Sequence, residues 1–320
     1  SYGYALEQFI QENDHSDKEE QFLNLFFDIG ETDYAGDTEM MSLSDLTWTF
    51  AEGCNDETHY MAVPGVGFGS TAVSVADSVE ADVKLNSKVV SIDYEVSNVI
   101  ISYEENGTMK EVTARTALVT VSLGVLQAGT ISFLPALPES KQDAIANMGF
   151  GLLNKCAMYW DSDDAIAWPE DEHWFNLITP EDESSGMWTS FFNPTKLKGV
   201  PCLVGWIAGD EAVAMEEQTD KEILQQVMNN LRSMFPAITQ PDEVIITRWG
   251  QEEHVRGSYS FNKVGRSFIN DASNLKERVG NVWFAGEATN LDGWHATSVG
   301  AWDTGEDAGQ DMASALKKWI

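Results

Sequence analysis

The sequence predicts an α/β or α+β chain in which strands and helices mix without an internal repeat. Three observations predict it. Val83–Tyr94 and Asn98–Glu104 alternate apolar and polar residues, the two-residue period of a strand with one buried face. Asn106–Gly107 follows as a hairpin turn and leads into another strand, Met109–Ala114. Lys221–Met234 and the segment from about Thr297 to Trp319 instead read as helices.

The other elements follow in order. Residues 1–29 read as helical, Tyr4, Leu6, Phe9 and Ile10 already standing at helical spacing, with an acidic loop near Asn13–Glu20 between two apolar stretches. Glu31–Thr38 reads as a loop, and an apolar pattern returns over Ser42–Phe50. A short strand (His59–Val63), a glycine-rich turn (Pro64–Gly69) and a small-residue helix (Ser70–Val79) come next. Past the hairpin, Ala117–Val121 is a continuous apolar run, as expected for a strand covered on both faces. Pro135 and Pro138 then punctuate the chain before an amphipathic helix, Glu139–Met148. Leu152–Trp160, Cys202–Ala208 and Glu243–Trp249 read as strands, and Asp161–Gly186 as an acidic, loop-rich stretch. Asn281–Ala285 is a short buried strand that ends at Gly286–Glu287.

Composition bounds the partners. A chain of 320 residues with 43% hydrophobic content has enough apolar material for a large core and for two domains. The net charge of −33, from 52 acidic against 19 basic residues, repels nucleic acid and anionic membranes and attracts small cations. The alternative reading of this excess is an acidic surface selected for solubility or for salt. The longest apolar run, Ala117–Leu126, is broken by Thr120, Ser122 and Gly124 and falls short of the ~20 residues of a spanning helix. Cys54, Cys156 and Cys202 lie far apart, which supports neither a zinc site nor a disulfide framework. Their usage, with no signal peptide in view, points to a reducing intracellular compartment such as the cytoplasm or peroxisome.

Two segments carry candidate chemistry. The turn Pro64-Gly65-Val66-Gly67-Phe68-Gly69 lies between a strand and a helix and so has the outline of a dinucleotide fingerprint. Serine stands at position 70, where the third glycine belongs, and the alternative reading is a tight turn. In Phe284-Ala285-Gly286-Glu287-Ala288-Thr289 a buried strand ends in a Gly-Glu pair, and a helix begins about ten residues later. Along that helix Gly300, Ala301, Thr304, Gly305, Ala308, Gly309, Met312 and Ala313 recur as a stripe that admits a sheet or a flat ligand. Its N-terminus offers N–H groups to an electron-rich acceptor, and Glu287 offers a carboxylate to ribityl or ribose hydroxyls.

These blocks carry a family resemblance. Phe284–Thr289 followed by Thr297–Gly305 resembles the C-terminal flavin motif of the FAD-dependent amine oxidases, which include monoamine oxidases, polyamine oxidases and flavin-dependent histone lysine demethylases. Val119-Thr120-Val121-Ser122-Leu123-Gly124-Val125-Leu126 resembles the family's strand and turn beside the flavin, with Ser122 where proline is usual. Leu134–Lys141, Met148–Lys155, Arg248-Trp249 and Arg256-Gly257-Ser258-Tyr259-Ser260 resemble further blocks, in register over roughly residues 25–315.

The resemblance implies FAD as cofactor and a small cationic amine and dioxygen as reactants, the amine C–N bond being oxidised to an imine with release of hydrogen peroxide. It implies a Rossmann-like FAD domain (61–130 and 278–320) interleaved with a substrate domain of mixed sheet and helices (1–60 and 131–277). Lys155 falls on the family's active-site lysine, which holds a water against the flavin; Trp249 matches a tryptophan packed on the flavin, Tyr259 a wall of the amine cage, and Val89 a backbone contact to adenine. Thr120, His254, Gly286, Glu287, Thr297 and Ser298 complete the implied cofactor contacts, and Trp294 and Thr297 the substrate contacts.

The departures are specific. Thr297 stands where polyamine and monoamine oxidases place a second cage aromatic and histone demethylases place threonine; Trp294 is the alternative source of that ring. His254 replaces a frequent aromatic, and Val299 a frequent histidine. The family's opening Gly-x-Gly-x-x-Gly unit does not precede Ser1, so the sheet's first βαβ unit is expected to be missing and FAD to be held weakly by this chain alone. A free polyamine such as spermine or spermidine is the favoured substrate, ahead of a methylated peptide or a monoamine. Two readings of other classes stay beside it: a nicotinamide dehydrogenase using Gly65–Gly69, and a non-catalytic remnant serving as a binding module.

Overall fold

Strands form where the sequence alternates, and among the described residues they make a five-stranded sheet, a four-stranded sheet and two two-stranded pairs. The computed structural model describes residues 1–43, 67, 69–95, 97–178 and 187–317. Most of the apolar pattern of Ser42–Phe50, the strand His59–Val63, Cys54 and most of the turn Pro64–Gly69 lie outside the described residues. Two compact units emerge, each assembled from separated stretches: Ser1–Met40, Asp56–Glu80 and Gly151–Gln251 in the first, and Met41–Asn55, Ala81–Phe150 and Glu252–Ile320 in the second.

The first unit is built on a five-stranded antiparallel sheet in the order Glu243–Ile246, Leu153–Tyr159, Cys202–Ala208, Ser190–Phe192, Trp174–Asn176. One face carries Cys156, Met158, Leu203, Ile207 and Phe191, all buried. The helix Asp220–Met234 supplies Ile223, Val227, Met228 and Leu231 to the same core cluster, and their i, i+4, i+5, i+8 spacing forms its apolar stripe. A capping box between Thr219 and Glu222 starts that helix. At the N-terminus, Tyr2–Glu12 and Asp17–Tyr34 are helical, the second opening on a Ser16–Glu19 capping box. This second helix overrides the loop expected from Glu31: it runs on to Tyr34 and stops only where Ala35 takes a left-handed conformation (φ 57°). Cys156 and Cys202 are free thiols that burial raises to about 12 and about 11, so both are inert.

In the second unit, Thr108–Ala114, Val99–Glu105 and Ser87–Asp93 form an antiparallel meander, and Ser132–Leu134 adds in parallel to the last of these. The Asn106–Gly107 turn has φ of 51° and 77°, the double positive φ that matches the twist of a tight hairpin. Two parallel strands, Ala117–Val119 and Val282–Phe284, pair with Val119 opposite Phe284. Gly149–Phe150 pairs with Ser260–Phe261. The helices Glu139–Asn147 and Phe268–Lys276 pack on each other, which brings residues on both sides of the first unit's 151–251 stretch into one body.

Lys141 is the pin between those helices. It is only 1% exposed, its ammonium donates to the carbonyls of Asn274 and Leu275, and it lies 3.9 Å from the centre of the Phe284 ring. Burial pushes its amine down to about 7, against a small opposing pull from Glu277. Between that value and 10.5 the unfolded lysine holds a proton that the folded one has shed, so the stability Lys141 contributes rises with pH across this window and is lost as pH falls toward 7. Urea titrations of the chain and of Lys141→Met between pH 7 and 10 should show their difference in unfolding free energy growing in favour of the unmodified chain. A difference that stays flat would mean the folded amine keeps its proton throughout.

Candidate functional site

The site of the second unit opens at the carboxyl ends of its two parallel strands, where ligands bind in open α/β sheets. The Ala285 N–H donates to the Val119 carbonyl (3.1 Å), so Thr120 and Gly286 leave the sheet side by side. They line a cavity of about 200 Å³ together with Ser122, Phe150, Glu287 and Ala301. Gly286 has φ 137°, a conformation reserved for glycine, and a Cβ placed on it would meet nothing within 4 Å. The turn is therefore both strained for any other residue and open to a ligand.

Glu287 is anchored. Its carboxylate accepts from the Ser260 hydroxyl (2.6 Å), the Ser260 N–H (3.2 Å) and the Ala296 N–H (2.7 Å). Burial raises its carboxyl above the usual range, and the hydrogen bonds from Ser260 and Ala296 only partly oppose this. Three of about four lone-pair positions are filled, which leaves one acceptor position on a residue that lines the cavity.

The motif blocks of the second unit meet here. Ser122, at the position where proline is usual, accepts from the Val125 N–H and so caps the helix Leu123–Gln127, while its hydroxyl donates to the Val255 carbonyl. Gly124 lies against the Phe150 ring and the Arg256 carbonyl. Ser260, which pairs with Phe150, holds Glu287.

The loop between Glu287 and the last helix, Ser298–Lys317, is held by its own side chains. Asn290 Oδ1 accepts from the Asp292 and Trp294 N–H groups, and the Thr297 hydroxyl donates to the Trp294 carbonyl while accepting from Gly300 N–H. Thr297 is thus the helix cap. Ser298 begins the helix and is exposed; the Trp294 indole is 42% exposed. The expected small-residue stripe divides: Gly300, Thr304 and Ala308 are buried, whereas Gly305 and Gly309 face open space. Tyr259 is half-buried between Ser258, which lines the cavity, and Ser260.

A second cavity of the same unit, about 880 Å³, takes in Val89 and His254 and shares Val121 with the first. Its rim carries an ion pair between Lys88 and Glu253 (2.6 Å).

Lys155 and Trp249 belong to the first unit. Lys155 stands opposite Trp206 across the antiparallel pair, with its amine 4.5 Å from the centre of the indole ring, and burial lowers its pKa. Trp249 is 42% exposed. The sequence reading missed the residues behind them, Asn154, Glu216 and Thr247. Alternation in Leu152–Trp160 puts Asn154 on the face of Cys156 and Met158, and a polar residue on a core face was the available signal. Among the described residues no cluster suits a metal ion, and no helix is long and apolar enough to cross a membrane.

Residues 3–313 match the family model of the flavin containing amine oxidoreductases. The chain belongs to that family. It is 36% identical over 236 residues to polyamine oxidase 4 of Oryza sativa subsp. japonica, an alignment covering 73% of this chain and 46% of that protein. It is 34% identical over 309 residues to lysine-specific histone demethylase 1 homolog 1 of Arabidopsis thaliana, covering 95% and 35% respectively. The chain spans about half, or less, of the length of these curated relatives. Wild-type putrescine oxidase in its putrescine complex shares the fold, with a TM-score of 0.63 at 19% identity over 78% of this chain and 53% of that one.

Two glycines of the last helix give opposite expectations. A Cβ at Gly300 would stand 2.0 Å from the Trp294 carbonyl oxygen, so Gly300→Ala should cost about 1–3 kcal/mol through displacement of the Asn290–Thr297 loop. Gly305 has free space, and Gly305→Ala should stabilise by roughly 0.5–1 kcal/mol. Chemical denaturation of both variants checks the pair; equal effects would remove the close approach from the account.

Proposed function

We propose that this chain supplies, from its second unit, residues of an FAD site and serves the oxidation of an amine C–N bond to an imine, with a free polyamine as substrate. The observation that carries the reading is the pair of cavities sharing Val121, with Thr120, Gly286 and Glu287 in one and Val89 and His254 in the other, in a chain of the flavin-containing family. The residues fit the group: a glycine corner with free space, a half-buried carboxylate with one acceptor position left, and the small side chains of Ser122, Ala285 and Ala301 beside the apolar Leu123 and Phe150. Bound there, FAD supplies the two-electron oxidation of the amine and the reduction of dioxygen to hydrogen peroxide.

The chain's own groups bind, orient and move protons. Thr120, Gly286 and Glu287 would hold the flavin end, Ser298 and the helix it opens would contribute N–H groups to it, and Val89 with His254 would hold the adenosine end. Trp249 would pack against the flavin, while Tyr259 and Trp294 would offer aromatic faces to the ammonium. Lys155 Nζ holds a water and exchanges a proton with it, a role eased by a pKa that burial brings closer to neutrality. The net charge of −33 favours encounter with a polycation. A methylated lysine is the second reading, favoured by the demethylase relative aligning over 95% of the chain and by Thr297.

Peroxide release from the flavin-loaded protein is to be measured with spermine, spermidine, benzylamine and a methylated histone-tail peptide. Activity on either polyamine is expected; activity on the peptide or benzylamine alone would reject the substrate. Lys155→Met should retain the visible flavin band and lose roughly 10²-fold or more in turnover, the scale of a lost acid–base group. Unchanged turnover would take Lys155 out of the mechanism, and loss of the flavin band would assign it to cofactor binding instead.

A further inference from the structure

The first unit contains a polar network that the proposed chemistry does not use. Asn154 is fully buried, and Glu216 is only 8% exposed. The Asn154 amide donates to Glu216 Oε1 (2.8 Å), and its carbonyl oxygen accepts from the Thr247 hydroxyl (2.9 Å) and the Trp249 N–H (3.0 Å). Glu216 Oε1 also accepts from the Gly250 N–H (2.8 Å). Thr247 is the hub: its hydroxyl accepts from the Lys155 N–H (2.8 Å), and its own N–H donates to the Lys155 carbonyl (3.0 Å). The loop is gripped from a further side, where Arg248 donates to the Gln218 carbonyl and pairs with Asp220.

Burying a carboxylate and an amide costs more than apolar packing of the same volume, so such a network secures position more than stability. What it positions is on view. Trp249 keeps 42% of its surface exposed although its backbone N–H is held by the buried Asn154, and an uncovered aromatic on an anchored backbone is suited to meet a ligand. Close approach is enforced as well: a Cβ on Gly250 would lie 2.7 Å from Glu216 Oε2, so only glycine lets the loop reach the carboxylate.

We infer that Asn154, Glu216 and Thr247 are positioning residues that fix the Trp249 ring and the Lys155 strand in one arrangement required for turnover. This rests on the amine-oxidase reading for what the arrangement does, and on the hydrogen bonds for its existence. Asn154→Asp removes the donor to Glu216 and sets two carboxylates face to face. Thr247→Val is the milder break and keeps the shape. Glu216→Gln retains an oxygen for both Asn154 and Gly250.

The test labels the protein with 5-fluorotryptophan and assigns the Trp249 fluorine resonance by its loss in Trp249→Phe. Asn154→Asp and Thr247→Val should move that resonance and leave the other tryptophans in place; in the flavin-loaded protein they should lower kcat by about tenfold or more with KM nearly unchanged. Glu216→Gln, which keeps the acceptor oxygen, should leave the resonance and kcat at the unmodified values. If Asn154→Asp fails to fold, Thr247→Val carries the same comparison. A Trp249 resonance that stays put in the folded variants would overturn the inference, as would a displaced resonance with kcat unchanged. Absence of peroxide from the unmodified, flavin-loaded protein would instead count against the amine-oxidase reading, and the fluorine comparison alone would then decide whether the network holds the ring.

Discussion

The parallel pairing of Ala117–Val119 with Val282–Phe284 is the constraint on which the second unit depends. These strands come from distant parts of the sequence and have only three residues each, too few to be stable by backbone hydrogen bonds alone. Their side chains supply the rest: Val282 and Phe284 enter one core cluster with Val119, while Trp283 faces the other way against Ala308 of the last helix. Because the pair is covered on both faces, its carboxyl end is where the chain can open to a ligand, and Thr120, Gly286 and Glu287 stand there. Glu287 then fixes what surrounds the opening, since its carboxylate gathers Ser260 and Ala296 from segments that share no strand with it.

The first unit solves a different problem by similar means. Its sheet presents one apolar face to the helix Asp220–Met234, and the polar Asn154 interrupts that face beside Lys155. A lone buried amide would be destabilising; the amide here is satisfied at both its donor and its acceptor, and the partners come from the end of one helix and from the Trp249 loop. The loop that carries the exposed indole and the lysine strand are thereby joined through Asn154 and Thr247.

Much of this was legible in the sequence. Val99–Glu105, Cys202–Ala208 and the helix after Thr219 declared themselves because local period and tertiary burial agree in them, whereas Thr108–Ala114 is almost wholly exposed and was legible through the Asn106–Gly107 turn. The helix through Tyr34 did not, because the turn-like residues Gly30 and Asp33 gave no sign that the helix would continue to Ala35. At the candidate site, Gly286 and Glu287 could be read from a strand ending in a Gly-Glu pair, yet nothing local indicates that Glu287 would be occupied by Ser260 and Ala296. Thr297 shows the same limit: nothing local to the sequence indicates that its hydroxyl would be committed to capping the helix. The small-residue stripe was half right in physical terms, since only the i, i+4, i+8 set Gly300, Thr304 and Ala308 is buried.

Two desolvated lysines differ in what surrounds them. The chain has only 19 basic residues against 52 acidic ones, so placing an ammonium in apolar surroundings forgoes favourable exposed pairings. Lys141 does so with both helix-end carbonyls of Asn274 and Leu275 as acceptors and a ring beneath it, an arrangement complete in itself. Lys155 is desolvated for the same reason, but among the described residues its amine has no hydrogen-bond acceptor, only the face of Trp206. An amine group carries three donors when charged and a lone pair when neutral. One whose pKa has been lowered and whose polar valences are open is matched to a water or a reactant, whereas one fully satisfied by main-chain carbonyls is matched to the fold. The difference between the two lies in their partners, since both are desolvated and lowered in pKa by burial.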